Sequence, residues 1–369
     1  MMRILFGVQG TGNGHIARSR TLARALAGSG VQVDYILSGR DPGGYFDMEA
    51  FGDYRAFAGL TFASHNGSVS TLRTLAASHP VAFWRDLSAI DCRGYDLVVS
   101  DFEPLTAYAA KRAGCPSLGI SHQASFEWPV PRWGESGFNR WLMRHFAPVQ
   151  RQIGLHWFHF GAPLLPPIID PLQGLADNGA MLVYLPFEGR AQIQDLLSRF
   201  TLHRFVCFHP DVQEPYQWRN IEFRPPSRTG FIDVLRGCRG VISNAGFELA
   251  SEALSLGKKL LVKPLYGQFE QLTNGRSLEL MGLATLMDSL DANALRRWLD
   301  EEGPGRVTWP NVAQALAQWL VAGADEPLES LSRRLWQQTQ FPEEVSERLC
   351  DLGAQEGSGA AWLATERGL

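Results

Sequence analysis

Short, dense apolar runs alternate along this chain with amphipathic stretches. Residues 3–9 (RILFGVQ) form an apolar run of the kind a buried parallel strand uses, and VQVDYIL at 31–37 is a second. Between them, residues 16–27 set Ile16, Leu22, Ala23 and Leu26 on one helical stripe, with Arg18 and Arg24 off it, and GSG stops the helix. Strand, helix, strand at this spacing predicts a parallel sheet with helical crossovers. The rhythm returns in YDLVVS (95–100), which runs into Asp101, in a helix over 104–114 closed by Gly114, and in a strand begun by CPSLGIS. It breaks over 124–160, a segment crowded with aromatics, and GAPLLPPIIDPL follows. Proline density of this kind suits a stiff, extended connector.

The second half restarts the alternation. AMLVYLPF, HRFVCFHP, NIEFRPP, GVISNAG and KKLLVKPL read as strands; 190–200, 229–238, ELASEALSLG (248–257) and 311–322 read as helices. The expected architecture is α/β, two Rossmann-like domains facing a cleft: 1–162, a proline-rich linker at 163–178, 179–324, and a helical tail at 325–369.

Composition narrows the classes. With 34 Lys plus Arg against 38 Asp plus Glu, the net charge is -4, which argues against a broad nucleic-acid-binding surface. The five cysteines are scattered and never form a C-x-x-C pair, so reduced buried thiols are expected rather than disulfides or zinc. No apolar run reaches the roughly 18 residues of a membrane span. The opening MMRILFGVQGTGNGH lacks the longer apolar region of a signal peptide, so a cytoplasmic protein is expected.

Three places carry candidate chemistry. The loop Gly10-Thr-Gly-Asn-Gly14-His15 joins the first strand to the first helix. Gly12 and Gly14 let backbone N–H groups approach a ligand at a helix N-terminus. The spacing is not the dinucleotide fingerprint G-x-G-x-x-G, although Asp34 in the second strand keeps a nicotinamide reading open, as it does an ordinary tight turn. His15 sits at the strand edge where open α/β sheets bind ligands, and Asp101 ends another strand on that edge. An imidazole held by a carboxylate can deprotonate a hydroxyl; the plainer alternative is a residue lining the helix start. The strongest segment is 241–274. There a strand enters Asn244–Ala245–Gly246, a helix begins near Phe247, and Glu252 lies two turns in. That helix N-terminus suits a diphosphate and Glu252 a ribose, while Gln268, Glu270, Gln271 and Asn274, on a loop fixed by Pro264, suit sugar hydroxyls.

The two motifs GTGNGHIAR and NAGFELASEAL…PLYGQFEQLTN resemble glycosyltransferases of the GT-B fold, over about residues 1–322. The chain is similar to the UDP-glycosyltransferases and to the lipid II-forming N-acetylglucosaminyltransferase, and most to a prokaryotic branch opening G-x-G-x-G-H-x-x-R. The resemblance implies His15 as general base, Asp101 as its partner, Gly246 and Phe247 on the diphosphate, Glu252 on the ribose, and Glu270 with Gln271 on the donor sugar. Arg224 falls where the family forms its nucleobase pocket. SNAGFE replaces the plant-type H-C-G-W-N-S run, and the residue eight before Glu252 is Asn244, not the glutamate of retaining relatives. This favours an inverting reaction. No D-x-D motif ends a strand, so neither a metal nor a cofactor is expected beside the nucleotide-sugar donor.

Ser121, His122 and Gln123 follow a cleft-edge strand, and His65 follows another apolar segment; all four are candidates to touch the acceptor, a glycan, lipid or small molecule. The aromatic segment 126–160, with Arg132, Arg140 and Arg144, reads as a packed helical cover or a peripheral membrane contact. Three rival functions stay open: a nucleotide-sugar epimerase or hydrolase of the same fold, an NAD-dependent oxidoreductase, and a non-catalytic nucleotide-sugar sensor.

Overall fold

The computed structural model describes residues 2–60, 64–65, 68–69 and 80–355. The first half begins with β1 (Arg3–Gln9), β2 (Gln32–Ser38) and β3 (Arg55–Phe57), then a hairpin of β4 (Ser64–His65) and β5 (Ser68–Val69). It continues with β6 (Leu97–Asp101), β7 (Ser117–Ser121) and β8 (Arg151–Gly154). Apart from the hairpin these strands form one parallel sheet, ordered β3-β2-β1-β6-β7-β8. The second half contributes β9 (Ala180–Tyr184), β10 (Arg204–Phe208), β11 (Tyr216–Trp218), β12 (Ile221–Arg224), β13 (Gly240–Asn244), β14 (Lys259–Lys263) and β15 (Thr285–Leu286). Its order is β11-β12-β10-β9-β13-β14-β15, parallel except for β11. The central strands are buried along nearly their whole length, as continuous apolar runs covered by helices on both faces require.

In each sheet the order reverses at one pair of neighbours, β1 beside β6 and β9 beside β13, and it is outside such a point that open α/β sheets hold ligands. His15 and Asp101 lie at the first, and Asn244 to Gly246 lie at the second.

The connecting stretch is not a bare strap. Leu164, Leu165 and Ile168 are buried, and Asp170 accepts from Thr21 and Arg24 on one side and Arg228 on the other. The chain end crosses back over the first half. Helix Val312–Val321 packs against helix Asn13–Leu26, and Arg151 lies 5.5 Å above the Trp319 ring. In the tail, helix Leu328–Gln337 anchors on one carbonyl, that of Leu164, which accepts from Ser332 Oγ at 2.6 Å and Trp336 Nε1 at 2.7 Å. Helix Glu343–Gln355 follows, with Val345 and Leu349 in the same core.

The structure differs from the pattern reading in two places. The polar segment expected as a loop after Pro264 is helix Phe269–Leu280 from its second residue onward. Its Thr273, Asn274 and Ser277 are buried with the apolar residues, so no apolar stripe marks it. In the aromatic segment, Trp157, Phe158 and Phe160 are core residues, whereas Phe138 and Trp141 on helix Gly137–Phe146 are 43% and 55% exposed. Among the described residues no helix is long and apolar enough to cross a membrane.

Candidate active site

The first helix starts at Asn13 after Gly12, an N-cap with no side-chain hydrogen bond, so its opening amides face outward unpaired by a cap. His15 is in its first turn. Because Val8 of β1 pairs with Asp101 of β6, the histidine meets the carboxylate across the sheet edge: Nδ1 is 2.8 Å from Asp101 Oδ1. Arg18, three residues on and therefore on the same helix face, grips that carboxylate through both Nε (2.8 Å to Oδ2) and Nη2 (2.6 Å to Oδ1). Ser19 Oγ adds a donor at 2.9 Å. Nδ1 also stands 2.6 Å from Arg18 Nη2; in the tautomer that carries its proton on Nδ1, toward Asp101, the lone pair is on Nε2, whose neighbour is the Gln123 amide nitrogen at 3.5 Å. The His15 side chain is 15% exposed and Asp101 1%.

Burial opposes the charge on Asp101, but Arg18, and after it His15, hold its carboxyl below the ordinary value. Burial likewise opposes the charge on Arg18, and Asp101 with Glu248 more than offsets this. Phe102, directly after Asp101, has φ of 52°, a left-handed conformation uncommon outside glycine, and its ring stacks on Phe146. That kink turns the chain into helix Pro104–Ala113, capped by Glu103, and leaves Asp101 at the strand tip.

The second half presents its own helix N-terminus. Gly246 caps helix Phe247–Ser255 without a side-chain bond, and a Cβ at Gly246 would meet nothing within 4 Å. Asn244 donates to the Lys263 carbonyl, and its buried Oδ1 has no partner. Glu248 accepts from Arg18 Nη1 at 2.8 Å, and its side chain fills the space beside Gly14, where a Cβ would come within 3.1 Å of Glu248 Cγ. The two helix starts are therefore in contact. Burial pushes Glu248 up to about 8 even against Arg18. Glu252 is half-buried and pushed up to about 7, chiefly by burial and then by Asp170, with Arg228 and Arg20 pulling back.

The sugar-side candidates sit on the first turns of helix Phe269–Leu280. Glu270 accepts from Gln123 Nε2 at 3.0 Å, so the two halves meet within reach of His15. Gln268 is the N-cap residue, with a buried side-chain oxygen that has no partner. Gln271 is turned inward, accepting from the Leu265 N–H at 3.1 Å. Asn274 donates to the Ala245 carbonyl and offers its oxygen to His122 Nε2 at 2.7 Å.

Of the remaining candidates, Ser121 is buried and accepts from the Ala124 N–H. His122 is wholly buried between the halves. Arg224 pairs with Glu222 and lies over the Phe208 ring. The backbone of His65 pairs with Ser68 in the hairpin, and its side chain lies outside the described residues. Three residues of the cluster carry no role in the pattern reading: Arg18, which closes the GTGNGHIAR motif, Ser19 and Glu248. Arg18 had a readable signal, an arginine one turn after a candidate histidine. Glu248 had none, because its partner is 230 positions away in the chain.

An imidazole backed by a carboxylate can take a proton from a hydroxyl, and uncapped helix starts can receive an anion. Residues 2–301 match the family model described as glycosyl transferase family 1. The chain belongs to this family. It is a glycosyltransferase, and the GT-B fold of the family accounts for the two sheets. Among solved structures, the glycosyltransferase SnogD from Streptomyces nogalater is similar at 20% identity, covering 91% of this chain and 99% of that one, with a TM-score of 0.51. SsfS6 from Streptomyces sp. SF2575, complexed with thymidine diphosphate, is 16% identical over 91% and 100% of the two chains, TM-score 0.56. Arabidopsis thaliana UGT89C1, complexed with UDP-L-rhamnose, is 14% identical over 96% and 98%, TM-score 0.56. No curated protein matches the chain.

Proposed function

We propose that this family 1 glycosyltransferase moves a sugar from a nucleotide diphosphate donor, a UDP-sugar, to a hydroxyl acceptor with inversion at the anomeric carbon. The acceptor is a glycan, lipid or small molecule that carries this hydroxyl. The observation that carries the reading is the placement of His15. Asp101 holds its Nδ1, its Nε2 is turned to Gln123 at the boundary between the halves, and the uncapped start of helix Phe247–Ser255 is in contact with its own helix. The reading assigns the donor mainly to residues 179–324 and the acceptor mainly to 1–162. The neighbours solved with thymidine diphosphate and UDP-L-rhamnose support a nucleotide-sugar donor.

In this reading His15 Nε2 accepts the acceptor's hydroxyl proton as its oxygen bonds to the anomeric carbon. The bond from that carbon to the diphosphate oxygen breaks with its electron pair on the leaving group. Asp101 stabilises the imidazolium so formed. The amides at Gly246 and Phe247 and the helix dipole meet the charge of the leaving diphosphate, so the reading requires no resident metal. Glu252 binds the ribose, and Glu270 holds donor-sugar hydroxyls.

The test is a panel of nucleotide-sugars, first ranked by thermal shift, then incubated with and without hydroxyl acceptors. Transfer with inverted anomeric configuration in the product, lost in His15→Ala by about 10²–10⁴-fold in kcat with donor binding retained, is the expected result. Undiminished turnover in His15→Ala overturns the base role. A C2 epimer or free sugar from donor alone, with no transfer, replaces the reading with an epimerase or hydrolase.

A further inference from the structure

We propose that Arg18 is the positioning residue of this site: it fixes the Asp101 carboxylate against His15 and, through Glu248, makes that geometry depend on contact between the two halves. The proposal rests on the reading of His15 as base. Arg18 is 3% exposed and lies on the boundary between the halves. Two of its nitrogens form the parallel pair of bonds to Asp101, and a third bonds Glu248 Oε1, an acceptor whether or not the carboxyl holds its proton. A planar fork of this kind dictates the plane of the carboxylate it grips, which a lysine ammonium cannot do. The oxygen turned to His15 Nδ1 is the one that Arg18 Nη2 holds at 2.6 Å, so the direction of the His15 ring follows from the arginine.

The second half supplies the other end. Glu248 is in the first turn of the helix assigned to the diphosphate, and its side chain occupies the gap beside Gly14. Separation of the halves removes the Glu248 carboxyl from Arg18 and frees a buried donor, a costly state for a desolvated cation. Closure thus completes the bonding of Arg18, and a fully bonded Arg18 aligns the pair that moves the proton.

Arg18 also touches His15 directly: its Nη2 is 2.6 Å from Nδ1, so guanidinium, carboxylate and imidazole edge form one contact. The other charged or titratable groups around the ring are Glu248 through Arg18, Glu270 through Gln123, and the buried His122 after β7.

The experiment reads the His15 ring C–H signals by NMR at one fixed pH, assigned with His15→Gln, alongside steady-state kcat and donor KM. In Arg18→Met these signals are expected to shift or broaden as the ring loses its fixed orientation, and kcat to fall about 10²-fold with donor KM and circular dichroism unchanged. Arg18→Lys restores the charge without the fork, so kcat stays low. Glu248→Ala lowers kcat but costs nothing further in the Arg18→Met background. Unmoved His15 signals in Arg18→Met, full kcat in Arg18→Lys, or additive losses in the double variant overturns the proposal. Should Arg18→Met not fold, full kcat in either Arg18→Lys or Glu248→Ala overturns it instead. Moved signals in a protein that transfers no sugar reject the transfer reading and leave the positioning role standing.

Discussion

The imidazole of His122 lies flat on the ring of Phe247, centroids 4.1 Å apart and planes 8° from parallel. The two rings come from opposite halves of the chain, and the histidine is also 2.8 Å from the Leu155 carbonyl and 2.7 Å from the Asn274 side-chain oxygen. Burial lowers the pKa of His122 against a weaker opposing pull from Glu270, so the ring is held toward its neutral form. His122→Phe retains the stack but leaves a buried acceptor unpaired, and is expected to cost about 1–3 kcal/mol in urea unfolding. His122→Ala loses the stack as well and should cost about 1 kcal/mol more. Equal stability of all three proteins would remove His122 from the interface.

Thermal stability should peak near pH 6.5. Burial lowers His159 from the ordinary 6.5 to about 4 and holds His156 well below it. Below pH 6.5 the unfolded chain takes up protons that these native rings refuse, so stability falls as pH drops toward 4. Glu248 and Glu252 work in the opposite sense: raised to about 8 and about 7 in the fold, against an ordinary 4.5, they release protons on unfolding at intermediate pH. The Glu248 contribution declines as pH rises toward 8, by about 1.4 kcal/mol per pH unit, so on the order of 2 kcal/mol is lost between 6.5 and 8, and Glu252 adds to the loss up to about pH 7. Melting temperatures across pH 4–9 check this, and Glu248→Gln should flatten the alkaline side.

Glycine substitutions separate folding from donor binding. A Cβ at Gly246 meets nothing within 4 Å and the backbone there is extended, so Gly246→Ala should leave the melting temperature within a degree or so of wild type. The same methyl would stand where the diphosphate is proposed to approach, so the thermal shift given by a nucleotide-sugar should vanish. A retained ligand shift would place the diphosphate elsewhere. Gly12→Ala is expected to fold normally for the same reason, whereas Gly14→Ala presses on Glu248 and should weaken the contact between the halves.

Glu270 accepts from Gln123 where the two halves meet. Glu270→Gln is expected to raise the donor KM about tenfold, the loss of one charge-assisted hydrogen bond, with a smaller change in kcat. Steady-state kinetics at fixed acceptor concentration decide it; an unaltered KM would take Glu270 out of donor recognition.

The tail helix is part of the fold. Trp336 and Ser332 converge on the Leu164 carbonyl, and Trp336 is ringed by Phe158, Trp309 and Phe341. Trp336→Ala should cost about 3–5 kcal/mol, measured by equilibrium unfolding, although the residue is far from His15 in sequence.

Local pattern determined much of this protein. Strand–helix alternation gave both parallel sheets, because period and apolar density are properties of neighbouring residues. The glycine loop with His15 and the SNAGFE segment marked both helix starts for the same reason. Helix Phe269–Leu280 escaped that reading, since its buried Thr273, Asn274 and Ser277 look like solvent-facing residues until their partners are known. Tertiary structure alone decided that Arg18 would bond both Asp101 and Glu248, that Gln123 would reach Glu270, and that the tail would return to Leu164. Each joins groups brought together only when strands pair side by side and the halves meet. A buried charge or carbonyl takes whichever partner the packed fold supplies, and no local spacing records which one that is.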